Sequence, residues 1–501
     1  MTKRTLLELR WCHKKRYEMC VFVKFIWINE FSFVLLHPNK IYNIDMNKLL
    51  IAILAFLAPL FSMAQGHFPT DEMVKGMVEA MPYPQIPNYS VNLKDFGGDF
   101  NKAMKALASK GGGRLIVPSG IWNTGPIEFE NNCELHVEAG ALVLFKSDYD
   151  LYKDVEVVYE GQKMRKKMSP LYAYNKHDVA ITGKGCFDGN GQDWRPVKRS
   201  KLTESQWKAQ IKKGGTVEND VWVPEIRERS KTRPVMLDFI KCERVMLKDA
   251  TFSNSPAWNL HPFLCKNVMI EGVTVRNPWY SQNGDGIDLE CCDGAIILNT
   301  CFDVGDDGIC IKAGRDKEGR ELKAPCQNVL IENCTVYHGH GGFTVGSEMS
   351  SGVKNVFVRN CTFIGTDAGL RFKSTRGRGG VVENIIIQDI NMVDIAGDAI
   401  TFDLYYANRS VLEGYEAGSS DSDPVPPVTE ETPSFRKILV DNVNCQGAKR
   451  AIYMNGLPEM PINNIVLNNV HIIAEKGVVT KNVKDIFTKD VTVNGETIEI
   501  K

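Results

Sequence analysis

Three aspartates, a histidine and two cations recur at matched places in this chain, and their types suit acid–base chemistry on an anionic substrate. They sit in or just before four short segments: Gly286-Ile287-Asp288-Leu289-Glu290, Gly308-Ile309-Cys310-Ile311-Lys312, Gly342-Phe343-Thr344-Val345-Gly346 and Gly369-Leu370-Arg371-Phe372-Lys373. Apolar and polar residues alternate in each. A strand period of two therefore turns Ile287/Leu289, Ile309/Ile311, Phe343/Val345 and Leu370/Phe372 inward and leaves Arg371 and Lys373 facing solvent. The residues just ahead of the glycines then fall in register. Asp285 and Asp307 occupy equivalent places about 4.8 Å apart on neighbouring strands, and His340 stands where Asp306 stands one segment earlier.

Carboxylates this close raise one pKa, so a neutral acid and an ionised base coexist at one pH. Glycosidic hydrolysis needs that pairing: one acid protonates the leaving oxygen while a carboxylate activates water. Arg371 and Lys373 add a fixed positive pair that can grip a carboxylate on the sugar, which points to a uronic acid. Asp288 and Glu290 are expected to line the cleft. His340 is expected to orient an aspartate rather than bind a metal, because no second histidine lies at ligand spacing; neither metal nor cofactor is expected. His338 reads as a packed structural imidazole, and Trp258, His261, Trp279 and Tyr280 as core or rim packing ahead of sugar stacking. Consecutive residues of a regular strand point to opposite faces, so Asp306 and Asp307 can cooperate only at a turn or bulge, which Gly305 and Gly308 permit.

The elements that must position these groups form a repeat. Eight β-branched runs begin at Val245, Val268, Ala295, Val329, Val356, Ile385, Ile438 and Ile465, with spacings of 23, 27, 34, 27, 29, 53 and 27 residues. The fifth residue of each is Asp249, Gly272, Asn299, Asn333, Asn360, Asp389, Asn442 or Asn469. Those types tolerate left-handed backbone, so every run reads as strand, sharp turn, strand. One such rung cannot bury its inner face alone, whereas stacked rungs share a continuous core. The fold class is therefore all-β: a single-stranded parallel β-helix. Asp99 as N-cap, Phe100, Met104 and Leu107 at helical spacing, and Gly111 to Gly113 as a stop describe a short helix capping its N-terminal end. Insertions are expected at about 189–233, with a charged and partly helical stretch near 200–213, and at 404–434.

The 501 residues carry 60 Lys+Arg against 61 Asp+Glu, with 43% hydrophobic and 24% charged residues. That is an ordinary globular composition, and it excludes disorder and a general nucleic-acid surface. From Met46 the chain runs through a charged start, an apolar stretch Leu49 to Phe61 and a small-residue site before Gln65, the pattern of a secretory signal over 46–64. Residues 1–45 precede so clean a start that they are expected to lie outside the true product. No apolar run reaches the ~20 residues of a membrane span, and stable membrane insertion is not expected. Twelve of the 14 cysteines lie beyond the leader, at no metal-ligand spacing, and are expected as single buried thiols. Cys334 and Cys361 are expected side by side.

Asn283-Gly284-Asp285, Gly305-Asp306-Asp307, Gly339-His340-Gly341 and Arg371-Phe372-Lys373, in that order, resemble the four signature motifs of glycoside hydrolase family 28, the polygalacturonases. The resemblance runs from Gly111-Gly112-Gly113-Arg114-Leu115 through Gly456-Leu457-Pro458-Glu459. It implies a right-handed parallel β-helix and inverting hydrolysis of α-1,4 galacturonosyl linkages in pectin without a metal. It also implies Asp306 as general acid, Asp285 and Asp307 as the water-activating pair, His340 in support, and Arg371 and Lys373, with Asn283 and Asp288, as substrate-binding residues. Two positions depart from the family pattern: Gly284 replaces a Thr or other small residue, and Phe372 an aliphatic one. Exo action is the leaning, because the insertions could close one end of a groove; a monomer acting on pectic polysaccharide is expected. A rhamnogalacturonan or substituted-pectin hydrolase, and a Ca²⁺-dependent lyase, are the alternatives.

Overall fold

A computed structural model of the chain describes residues 70–406 and 425–500, together with four short strands between Leu7 and Asp45. The expected signal segment 46–64 and most of the 404–434 insertion lie outside the described residues. Residues 1–81 form a unit of their own, holding those four antiparallel strands and a helix, Asp71–Ala80.

From Ser90 onward the chain winds into a right-handed parallel β-helix with one 30-stranded sheet. Each rung contributes strands to three lanes. The first carries Leu237–Ile240, Leu260–Phe263, Ile287–Glu290, Ile309–Lys312, Phe343–Gly346 and Ala368–Lys373. All eight β-branched runs belong to the second lane and pair in the expected register, Val245 on Val268, Val268 on Ala295, and so to Ile438 on Ile465. The turn column is left-handed throughout, with φ from 50° at Asn442 to 65° at Gly272. Its side chains form a ladder: Asn333 donates to Asn299 at 2.6 Å and Asn469 to Asn442 at 3.0 Å.

One apolar core fills the solenoid from Leu93 to Ile500. The helix Phe100–Ala108 closes its N-terminal end, with Asp99 accepting from the Lys102 amide at 3.0 Å and Phe100, Met104 and Leu107 buried. Phe372 faces this core and stacks on Phe402 with ring centroids 4.5 Å apart, so its departure from the family pattern concerns packing, away from the cleft. The cysteines from Cys133 to Cys445 are all free. Cys334 and Cys361 are in register on neighbouring rungs, and the Thr362 amide bonds the Cys334 carbonyl.

The helical stretch expected near 200–213 is the helix Glu204–Ile211. Two features were not legible as elements: a hairpin of Asp154–Tyr159 and Gln162–Lys167 that leaves the solenoid wall, and a three-stranded sheet within the 189–233 region.

Candidate active site

First-lane strands end a rung's outer wall, and the loops that enter them deliver the acids. The strand Cys301–Asp303 stops before the pair and Ile309–Lys312 starts after it, so Asp306 and Asp307 lie in a loop and escape the alternation of a regular strand. Glycine at 341 is needed here, since a Cβ would collide with Thr344 Oγ1 and sit 3.0 Å from Asp307 Oδ1. At 284 a Cβ would run into Ser281, so the missing side chain is a local packing requirement.

One carboxylate oxygen each of Asp285, Asp306 and Asp307 lies within 4.8 Å of the others. Their surroundings differ. Asp307 is buried; Lys373 Nζ donates to Oδ2 at 2.7 Å, while Arg371 Nη1 and Thr344 Oγ1 each donate to Oδ1 at 3.1 Å. Burial would raise its pKa, but the two cations win and hold it far below the carboxylate range. Asp285 goes the other way. Burial, then the charges of Asp288 and Asp306, push it well above the ordinary value, and its Oδ1 has no hydrogen-bond partner. Asp306 is raised by burial but lowered more by His340, whose Nδ1 stands 3.1 Å from Oδ1, and the net shift is down. His340 is lowered by burial and raised more by the same bond and charge, net up; its Nε2 lies 3.6 Å from Asp367. Protonation is thus favoured at Asp285 and disfavoured at Asp306 and Asp307.

Three expected placements need correcting. Arg371 and Lys373 do point outward, but Lys373 is buried and both are engaged with Asp307 instead of standing free in solvent. Asp288 is fully buried, one layer below any cleft, with 3.6 Å separating it from Lys312 Nζ; burial pushes it up to about 7 against the pull of Lys312 and His261. Glu290 is equally buried and bonds His261, which bridges it to Asp238 at 2.9 and 3.0 Å. His338 is an exposed imidazole 3.0 Å from Asp303, not a packed one. Asn283 is left-handed and held by the protein: Arg233 donates to its Oδ1 at 2.7 Å and it reaches Glu160 at 3.5 Å.

Sequence reasoning missed Tyr406 and Lys312. The Tyr406 ring lies 5.5 Å from the Arg371 guanidinium and 5.0 Å from Lys373 Nζ, in a cavity of about 230 Å³ shared with His340, Asp367 and Asp398. A signal existed, since Thr401 and Asp403 pair in register with Arg371 and Lys373 and mark 398–403 as the next rung. Buried Lys312 joins Glu348 at 2.9 Å to Asp288 and lies 5.0 Å from the Trp258 ring. The trio could bridge a cation by distance alone, but both oxygens of Asp307 already accept from protein donors, so the donor set is poorly suited to a metal.

The outer wall is closed on one side of the trio and open on the other. Toward the N-terminal rungs, Val157 and Tyr159 of the hairpin pack with Ala257 and Trp258, and the Tyr159 ring stacks on Trp258 at 4.2 Å. Trp258 in turn lies 5.2 Å from His261, so Asp238, His261 and Asp288 are sealed beneath them. Toward the C-terminal rungs, the Arg371–Tyr406 cavity opens outward.

Comparison with known proteins agrees with this geometry. The profile of Glycosyl hydrolases family 28 matches residues 117–420. The chain is 26% identical over 465 residues, 87% of its length and 86% of the relative's, to a Vitis vinifera protein named Probable polygalacturonase. The hyperthermoactive exopolygalacturonase of Thermotoga maritima superposes with a TM-score of 0.70 at 31% identity, covering 84% of this chain and 95% of that one. The family 28 exopolygalacturonase of Yersinia enterocolitica shares the fold, with a TM-score of 0.65 at 22% identity over 82% of this chain and 76% of that one.

Proposed function

Since the chain belongs to glycosyl hydrolases family 28 and is a polygalacturonase-like glycoside hydrolase, we propose that it is exported and releases galacturonic acid from chain ends of pectin with inversion. The observation that carries the substrate is the clamp of Arg371 and Lys373 on one flank of three carboxylates. Arg371 spends one of its five donors on Asp307 and Lys373 one of its three, so both can still bind a sugar carboxylate. The wall closed by Tyr159 and Trp258 supports the exo reading, since it bars an extended chain on that side of the trio. This is the chemistry that the Thermotoga maritima relative's name describes.

In the proposed mechanism Asp306 protonates the leaving oxygen while Asp285 and Asp307 hold the attacking water. Exposure selects Asp306, whose side chain is 20% accessible, whereas Asp285 is buried. Its proton arrives with substrate. His340 does most to hold Asp306 down and Lys373 adds to it; a uronate carboxylate on Arg371 and Lys373 offsets the Lys373 charge and brings a negative one, and both effects raise the Asp306 pKa. The closest carboxylate oxygens stand nearer than the roughly 6.5–9.5 Å usual for inverting pairs, and the inverting reading is carried by family membership. Oligogalacturonide digests followed by chromatography and early-time NMR are expected to give monogalacturonate as the β-anomer. An initial α-anomer would show retention, oligomeric early products would show endo action, and ultraviolet-absorbing unsaturated ends would show a lyase. The N-terminus of the exported protein is expected at Gln65 by mass spectrometry; one upstream of Met46 would refute the leader.

His340→Gln separates the proton assignments. Removing the imidazole takes away the group that lowers Asp306, so the Asp306 pKa rises. If Asp306 is the acid, the alkaline limb of kcat against pH moves to higher pH and kcat falls by roughly tenfold to a hundredfold. A shift of the acidic limb instead would make Asp306 the base.

A further inference from the structure

The hairpin has a second face. While Val157 and Tyr159 close the catalytic side, Glu156, Val158, Lys163 and Arg165 lie on the opposite face by the alternation of paired strands. Between the hairpin and the solenoid lies a cavity of about 370 Å³, within the size range of small-ligand sites, lined by these four residues and by the Val157–Met164 pair. Its floor is a row of outward-facing residues from three successive rungs, Tyr174, Ile240 and Phe263, paired in register. Ile240 and Phe263 are buried, but Tyr174 keeps 50% of its surface exposed at the mouth. Three cations line the cavity: Lys163, Arg165 and Lys241, the last with Nζ 5.8 Å from the Tyr174 ring. Glu156 is the only acid among the lining residues. Asp154, just outside, is held by Lys167 at 3.2 Å and touches Arg165 only at 4.0 Å.

An apolar aromatic floor under a cationic rim matches a uronic acid ring, which offers a C–H face for stacking and a carboxylate for the cations. A neutral sugar would use the floor and waste the rim. Nothing in the mechanism requires these residues, and none of the carboxylate trio lines the cavity. We propose that this cavity is a second, non-catalytic binding site for galacturonate-rich chains, holding polymer on the enzyme while the cleft trims ends. The proposal rests on the pectin reading above.

The test uses the full chain in two backgrounds. With Asp306→Asn, which removes turnover, calorimetric titration with a trigalacturonate probe is expected to show two sites. Adding Tyr174→Ala and Lys241→Gln is expected to leave one, and neutral galactotriose is expected to bind at neither with comparable strength. In the active enzyme, Tyr174→Ala/Lys241→Gln is expected to raise KM for polygalacturonan by roughly tenfold, the loss of one stacking and one charge contact, with kinetics on trigalacturonate unchanged. Lys163→Glu, an exposed hairpin change that leaves the floor intact, is expected to act in the same direction and guards against misfolding of the double variant. One site in the Asp306→Asn protein, or unaltered polymer KM in all variants, would overturn the proposal. Failure to hydrolyse any galacturonan would instead overturn the substrate reading, and trigalacturonate binding lost with Tyr174→Ala would still support the cavity.

Discussion

Asp306→Asn is expected to fold as the parent does and to lose roughly two to four orders of magnitude in kcat. The substitution is nearly isosteric. Oδ1 already accepts from the Asp307 amide at 2.9 Å, a bond that the asparagine oxygen can keep, and the partly exposed loop carries no core packing. What disappears is the titratable proton. KM is expected to change little, since Arg371 and Lys373 still bind the carboxylate, so the defect belongs to the chemical step. Single-turnover assays with circular dichroism as a folding control read both quantities. If Asp306→Asn retains more than a tenth of the parent kcat, the acid is a different group, and Asp285, whose pKa burial and the charges of Asp288 and Asp306 push upward, becomes the first candidate.

Lys373→Met is expected to damage both stability and catalysis. The ammonium forms the shortest bond to Asp307 and both groups are buried, so removing it leaves a buried carboxylate with Arg371, Thr344 and the weak Cys310 thiol donor. Breaking a buried pair typically costs about 3–5 kcal/mol, and the surviving Arg371 contact argues for the low end. Catalysis suffers in a signed way. Asp307 acts ionised and Lys373 depresses its pKa, so without Lys373 that pKa rises and the acidic limb of kcat/KM moves to higher pH. Urea denaturation should show Asp307→Asn/Lys373→Met regaining much of the lost stability while staying inactive, because the uncompensated charge is gone but so is the base. A double variant as unstable as the single one would place the damage in packing instead of charge.

Much of the fold can be read in the chain because a solenoid repeats its demands. Left-handed turns recur once per rung, and only Asn, Asp and Gly meet them cheaply, so the column from Asp249 to Asn469 stands out. A second left-handed column, one residue before each run, was not visible. It includes Asn267, Gly294, Asn328, Asn355, Asn384 and Asn464, but Arg244 and Lys437 interrupt it, and neither residue type announces such a turn. The hairpin escaped for a related reason. Its second strand, Gln162–Lys167, is almost wholly polar and its first packs on a local cluster, so the pair shows no rung pattern of strand, left-handed turn and strand.

Alone, the sequence determined which residue types share a rung face. Side-chain alternation and the turn column place Asp285, Asp307, His340, Arg371 and Lys373 along one wall whatever the details of packing. Tertiary structure decided which charges neutralise one another, with Lys373 and Arg371 on Asp307, His340 on Asp306 and Lys312 beneath Asp288. It also decided which end of the groove the hairpin closes and where Tyr406 stands. Those outcomes depend on burial and on distances of a few ångströms between residues far apart in the chain, and a one-dimensional pattern does not record them.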